Sequence, residues 1–254
     1  MAEWCTSGWH ARRSMPIEVA GFGCAAERSA TPRPFLLARI VREGEAAMSM
    51  TELWPGAPRV VGPADLGAAA AFSALVTQGY LHEIWNDRAV ASDVPVTPAI
   101  RADALFGSLS PAARRCVVGR VSAVWIHTGA HRPRRADLLV PAGVRIPAPD
   151  VGHVAHETRL DPDEWVTIGP LRVTSVCRTA ADVARWLPLS VAAALLATLA
   201  DHPHFDGARA AAVVARSHGH RGVRHALTVL ESMGATAAQA GSPIMRAPRD
   251  PVMR

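Results

Sequence analysis

The stretch WVTIGPLRVT, Trp165 to Thr174, decides how this chain is read. Two short runs rich in β-branched residues flank Gly169-Pro170. Proline has no N–H to give to a ladder and glycine supplies the backbone freedom of a turn, so the pattern is a hairpin or a tight strand-to-strand turn. Downstream the period changes from two to 3.6, and everything after Cys177 reads as helix. Thr179 with Asp182 three residues on resembles a capping box, and Ala180, Val183, Ala184 and Leu187 recur at i, i+3, i+4 and i+7. Ser190 is the expected cap of the next helix, whose Ala192, Leu195, Leu196 and Leu199 form one apolar stripe. Asp206 opens a third helix, with Ala210, Val213 and Val214 on a shared face and Gly219 as its stop. A fourth is expected from about Gly222 to Met233, with Val223, Ala226, Leu227 and Leu230 inward and Gly234 ending it.

Upstream of the hairpin, His153 to Leu160 and Ala136 to Pro141 read as strands. A helical block is expected over Ala99 to His127, broken near Gly107 to Pro111, after a proline-punctuated connector from Val94 to Pro98. Tyr80 to Val90 reads as a short strand pair, and a helix from Pro63 to Gly79 carries its proline where a missing N–H does no harm. The fold class that follows is α+β, with a small β-sheet and a C-terminal helical bundle. Residues 1–47 show no period of either kind, so translation is expected to start at Met48 or Met50, with a genuine disordered tail as the other reading. Residues 235–254 are expected to form a second disordered tail.

The 27 basic residues are all Arg, since the chain has no Lys, and the abundance of Ala, Pro and Gly points to a GC-rich coding sequence. A net charge of +5 permits an acidic partner such as nucleic acid but is modest for 254 residues. The cysteines Cys5, Cys24, Cys116 and Cys177 are too widely spaced for a zinc motif and too few for a disulfide scaffold, so buried free thiols in a reducing cytoplasm are expected. Leu187 to Ala200 and Gly67 to Val76 are apolar but too short to span a bilayer, and each reads as a buried helix. Arg12 and Arg13 lead no signal-peptide core, so the expected location is the cytoplasm, with no membrane contact.

Missing Lys excludes Schiff-base, P-loop and restriction-type lysine chemistry, and no Gly-x-Ser-x-Gly or Walker-type loop occurs. The close histidine pairs are His153 with His156, His202 with His204, and His218 with His220; His127 and His131 stand four apart around Gly129. Pairs do not make a site that needs three or four converging ligands, so neither metal nor cofactor is expected. Asp161, Asp163 and Glu164 flank Pro162 and read as solvated loop carboxylates. Arg114, Arg115, Arg120, Arg132, Arg134 and Arg135 crowd a stretch whose one acid is Asp137, and the planar guanidinium suits phosphate, so these six are the candidate duplex-DNA contacts. An ordinary solvated surface in an Arg-only chain would look the same. Arg216, Arg221 and Arg224, with His218, His220 and His225, form a smaller candidate partner-binding patch, which the dipole of a helix C-terminus also explains in part.

Several segments together resemble the AbiEi-type antitoxin and transcriptional-regulator family: Gly79-Tyr80-Leu81, Val121 through Gly129, Leu138 through Pro141, Gly169 through Ser175, Arg178 through Arg185, and Gly219 through Val223. The resemblance covers roughly residues 60–246. It implies an N-terminal winged helix-turn-helix on promoter DNA, a C-terminal region that acts on a toxin of nucleotidyltransferase type, and no enzyme activity in this part. Many relatives continue into a nuclease-like domain opening on Ser-Pro-x-Glu; here Ser242-Pro243 is followed by Ile244 and Met245. A recognition helix normally carries Arg or Lys, yet none lies between Arg59 and Arg88. The N-terminal part, residues 48–110, is therefore expected to be a degenerate winged-helix-like segment, ahead of an antitoxin-like α+β domain over residues 111–234. The implied function is a DNA-binding transcriptional regulator of a toxin-antitoxin system, the alternatives being a toxin-neutralising module that does not touch DNA and a decayed remnant of such a protein.

Because residues 1–47 hold no periodic apolar face, their removal is expected to leave cooperative unfolding unchanged. Thermal melts of the full and shortened chains check this. A large drop in melting temperature on truncation would make the segment structural.

Overall fold

The computed structural model describes residues 59–144, 152–216 and 221–240. Residues 1–47, Met48, Met50, His218, Gly219, His220 and Ser242-Pro243 lie outside the described residues. The helix expected from Pro63 to Gly79 is two pieces, a 3₁₀ turn over Pro63–Leu66 and α1 (Ala69–Thr77). Gly67 separates them at φ +74°, a left-handed conformation that costs glycine little. β1 (Leu81–Trp85) and β2 (Arg88–Ala91) then pair antiparallel around Asn86 and Asp87, both at positive φ as a tight hairpin turn requires. Leu66, Phe72, Leu75 and Leu81 give this helix and hairpin a small core of their own. α2 (Pro98–Ser108) starts on Thr97, whose hydroxyl accepts the Ile100 N–H.

The block expected as helix over Ala99 to His127 conceals a strand. β3 (Val117–Val118) lies inside it, ahead of α3 (Arg120–Thr128). Two residues are too few to register a period, and the apolar run around them matches a helix equally well. Gly119 makes the crossing possible: a Cβ there would lie 2.6 Å from Leu139 Cγ. β3 is nonetheless the middle of a five-stranded sheet of order β5-β4-β3-β7-β6, completed by β4 (Ala136–Pro141), β5 (His153–Thr158), β6 (Trp165–Ile168) and β7 (Leu171–Thr174). β3 pairs antiparallel with β4 and parallel with β7, and β4 pairs parallel with β5. β6 and β7 form the antiparallel hairpin read from the sequence, turning at Gly169 with φ +55°.

The fold is mixed α and β, with four helices after the sheet: α4 (Val176–Trp186), α5 (Leu189–Ala200), α6 (Gly207–Ala215) and α7 (Val223–Ala240). Their caps differ from expectation in three places. Ser175, not Thr179, caps α4 by accepting the Arg178 N–H, while the Thr179 hydroxyl donates back to the carbonyls of Thr174 and Ser175. Pro188 occupies the N-cap of α5, leaving Ser190 inside the helix. α7 runs through Gly234 to Ala240. Asp206 caps α6 as expected, its carboxylate accepting the Arg209 N–H. α4 packs against α3, α5, α6 and α7, so it is the axis of the bundle. α3 is buried on two sides, giving Ala123, Trp125 and Ile126 to the core around the sheet and Val124 to the core of the bundle. No helix among the described residues is long and apolar enough to cross a membrane.

A buried charge network joins sheet to bundle. Arg178 on α4 donates from Nε to Asp182 Oδ2 (3.0 Å), from Nη1 to Glu164 and to the Arg159 carbonyl (3.0 Å), and from Nη2 to Thr158 Oγ1 (3.1 Å). Glu164 also accepts from Arg216 at the end of α6. One guanidinium thus ties the end of β5, the turn before β6 and two helices together. Glu164 is only 4% exposed, which corrects its reading as a solvated carboxylate, whereas Asp161 and Asp163 do stay at the surface. A buried ion pair offsets its own desolvation only while complete; stripping one partner leaves a charge with nothing to solvate it. Arg178→Ala should therefore lower the unfolding free energy by roughly 3–5 kcal/mol, and Arg159→Ala, at an exposed side chain, by no more than about 0.5 kcal/mol. Urea denaturation of both variants checks this, and equal small losses would contradict the tie.

Candidate functional site

The sheet topology sorts the six candidate arginines. β3 and β4 run antiparallel with Val118 opposite Leu138, so the chain enters the two strands at opposite ends of the sheet. Arg114 and Arg115 precede β3, while Arg132, Arg134 and Arg135 precede β4, which puts the two groups about 20 Å apart at 3.3 Å per residue. Arg114 is also occupied: its Nε donates to the Phe106 carbonyl (3.0 Å) and its guanidinium lies 4.2 Å over the Phe106 ring. Arg115 is exposed. Arg132, Arg134 and Arg135 are exposed together on the loop between α3 and β4, Arg132 reaching Glu83 at 3.9 Å and Arg135 donating to the His153 carbonyl at 3.1 Å. The six do not share one surface; Arg132, Arg134 and Arg135 share a loop, with Arg132 turned toward β1 and Arg135 toward β5. α1 turns Ala69, Ala70, Ser73 and Thr77 outward, so its exposed face carries no charge.

Arg120 points inward. Its backbone is left-handed at φ +50°, strained for a residue with a side chain. Nη1 donates to His156 Nε2 at 3.0 Å, and the guanidinium lies 5.3 Å from the centre of the Trp186 ring. The same His156 nitrogen is 3.3 Å from Asp137 Oδ1. Burial pushes the Asp137 carboxyl up against the pull of His156 and Arg120, and burial followed by Arg120 pushes His156 down. Both shifts favour the neutral partner, as expected where opposite charges share a poorly solvated place. Of the second basic patch, Arg216 is committed to Glu164 and Asp161, while Arg221 and Arg224 are exposed at the start of α7.

Among the described residues the histidines are not gathered into a metal site. His153 and His156 stand three apart on β5 and so face opposite sides of the sheet. His127, His202 and His204 form a cluster with ring centres 5.6 and 5.5 Å apart, the first pair edge to face and the second tilted, and His127 Nε2–H donates to the Thr174 carbonyl at 2.8 Å. Among the described residues no group of three or more His, Cys, Asp or Glu is arranged to hold a metal ion. Cys116 and Cys177 are buried free thiols.

The surface that departs most from expectation is α5. Its sequence, LSVAAALLATLA, has no charged residue, which predicts burial on every side. Only one stripe is buried: Ala192, Leu195, Leu196 and Leu199. Outward, Leu189 is 57% exposed and Val191 45%, beside Ala193, Ala194 and Ala197, with Trp186 at 42% just before the helix. Between α5, α3 and the loop after α3 runs an open groove of about 490 Å³, with Val121, Pro133, Val191, Ala194 and Leu195 as its apolar lining, Arg132 as its cation and His131, whose Nε2 lies 3.0 Å from Thr198 Oγ1, as a further polar edge. No sequence reading singled out this groove. The signal was present, since a helix with no polar face needs two covers and the chain offers one.

No protein-family profile matches the chain, and no curated protein does. Among solved structures it is similar to the RV2827C protein from Mycobacterium tuberculosis, at 14% identity and a TM-score of 0.37, over 83% of this chain and 82% of that chain.

The histidine cluster sets a pH dependence. Burial holds His127 below its ordinary value of 6.5, and His202 is lowered for the same first reason. With the folded value depressed, the unfolded chain takes the proton first, so this contribution is full above about pH 6.5 and is lost as pH falls through that value. Asp137, held up by burial, acts with the opposite sign as pH falls through its raised value. Urea midpoints should fall between about pH 7.5 and 5.5, and His127→Gln should make the fall shallower. A midpoint that rises on acidification over that range would contradict the assignment.

Proposed function

We propose that the protein is a non-enzymatic, antitoxin-like regulator whose working surface is the α3–α5 face, and that it acts by holding a partner protein there. The supporting observation is the uncovered, uncharged outer face of α5 beside a cationic loop. Exposed large apolar side chains gathered in one place are the usual mark of a protein contact. The AbiEi resemblance supplies the partner class, a toxin of nucleotidyltransferase type.

DNA binding is the second reading, favoured by the exposure of Arg132, Arg134 and Arg135 on one loop. Three phosphate contacts release few counterions, so it would be weak, with a log–log salt slope of about −2.7.

Growth rescue separates the readings. Co-expression with a toxin of nucleotidyltransferase type should restore the growth that the toxin alone arrests. Val191→Glu should abolish rescue with the fold intact, and Arg114→Ala with Arg115→Ala should not. Rescue indifferent to Val191→Glu would overturn the α5 surface. In anisotropy titrations at about 0.15 M salt, where a three-phosphate contact is largely lost, the protein should not bind its own upstream duplex. Tight binding there that is lost on changing Arg132, Arg134 and Arg135 to Ala would favour the DNA regulator instead.

A further inference from the structure

We infer that the cavity between β1, α2 and the end of α3 binds a small organic monoanion, a carboxylate on a flat apolar body, through the guanidinium of Arg101. The inference is independent of the α5 surface; of the residues argued below, only Arg132 also borders that groove. Arg101 on α2 is 7% exposed. Its contacts all go to backbone carbonyls: Nε donates to Ile126 (3.0 Å), Nη1 to Val96 (2.9 Å) and Nη2 to His127 (3.4 Å). No carboxylate among the described residues pairs with it. The other inward arginines differ, since Arg178 holds Asp182 and Glu164, and Arg120 lies near Asp137 and Asp182. Carbonyls satisfy donors without cancelling a charge. Ile126 and His127 belong to the last turn of α3, whose dipole offers about half a negative charge, so the guanidinium keeps a net positive charge in a poorly solvated place. Burial accordingly holds Arg101 below its ordinary value. A guanidinium has five N–H donors, of which three are spent here, so two remain for an anion.

The cavity, of about 310 Å³, opens against this group. Gly129 forms the wall beside it, and a Cβ there would lie 3.0 Å from Arg101 Nη1, so glycine leaves the guanidinium uncovered. Trp125, Ile84 and Val96 supply apolar walls suited to a flat body. Exposed His82, Glu83 and Arg132 stand at the mouth, the last two 3.9 Å apart. Arg101, Arg132 and Glu83 together leave one positive charge in surplus. One carboxylate balances that surplus. A phosphate group, with nearly two charges at neutral pH, would exceed it and face Glu83. The volume is at the small end for a ligand site, which suits a compact molecule.

The test is a ligand-observed NMR titration of the full chain with benzoate at about 0.15 M salt. Benzamidine and benzyl alcohol serve as cationic and neutral bodies of similar size, and inorganic phosphate as the more highly charged rival. A ligand of about nine non-hydrogen atoms should bind with a Kd of roughly 0.1–1 mM, and the other three should be about tenfold weaker or more. Arg101→Lys keeps the charge and loses the fork, and should weaken benzoate by about tenfold. Glu83→Gln removes the opposing carboxylate at an exposed position and should tighten benzoate by about threefold, while Arg132→Ala should weaken it by about threefold. A purely structural Arg101 predicts no effect of either exposed change. These two variants decide the matter alone if Arg101→Lys alters the melting curve.

Absence of benzoate binding up to about 10 mM overturns the inference. So does equal binding of benzoate and benzyl alcohol, or phosphate bound more tightly than benzoate. Benzoate binding unmoved by Glu83→Gln and Arg132→Ala places the anion on another surface and overturns it as well.

Discussion

The structure depends on one guanidinium. Arg178 is buried in the first turn of α4 and places its donors on Asp182, Glu164, Thr158 and the Arg159 carbonyl, so the end of β5, the turn into β6 and the helical bundle are fixed to one another through it. The desolvation of such a cluster is large, and what it gives in return is geometric: the partners fit in one arrangement. Asp182 pays part of that cost, since burial pushes its carboxyl up while Arg178 pulls it down. With α4 held, the two helices beside it have little freedom. α3 is clamped from its other end by Arg101, whose Nε donates to the Ile126 carbonyl at 3.0 Å and whose Nη1 donates to the Val96 carbonyl at 2.9 Å.

That rigidity bears on function. A groove between α3 and α5 is useful for recognition only if its walls do not relax into each other when empty. α3 is fixed by the sheet on one side and by α4 on the other, and α5 presses Leu195, Leu196 and Leu199 into the bundle. The outer face of α5 is therefore presented on a preorganised support, beside a loop whose cations are solvent-facing. Charge near an apolar floor steers encounter and sets which partners are tolerated, while the floor supplies most of the retention.

Much of the fold was legible because its signals were local. The β6–β7 hairpin is set by β-branched runs around Gly169-Pro170, β4 by the short apolar run Leu138 to Val140, and the inward stripe of α5 by a clean 3.6 period. β3 was hidden because a two-residue strand has no period, and its place at the centre of the sheet is decided by pairing with β4 and β7, which lie 20 residues and more away in the chain. The spacing of Arg178 and Asp182 at i, i+4 was visible as a pair, but its burial depended on Glu164 and Arg216, brought in from other elements. The arginine cluster looked continuous because sequence neighbours were counted together; an antiparallel crossing separates Arg114 and Arg115 from Arg132, Arg134 and Arg135. For α5 the composition was read as demanding burial, and the tertiary arrangement departs from that reading: one stripe is buried and the opposite face is exposed.

The central claim is that a partner covers this exposed outer face of α5. Hydrogen–deuterium exchange of the full chain, alone and mixed with a toxin of nucleotidyltransferase type, tests it most directly. The account predicts new protection in α5 and in the loop from Gly129 to Arg135, with the exchange of α1, β1 and β2 unchanged. Protection confined to α1 and its hairpin, or to the end of the sheet that carries Arg114 and Arg115, would contradict it.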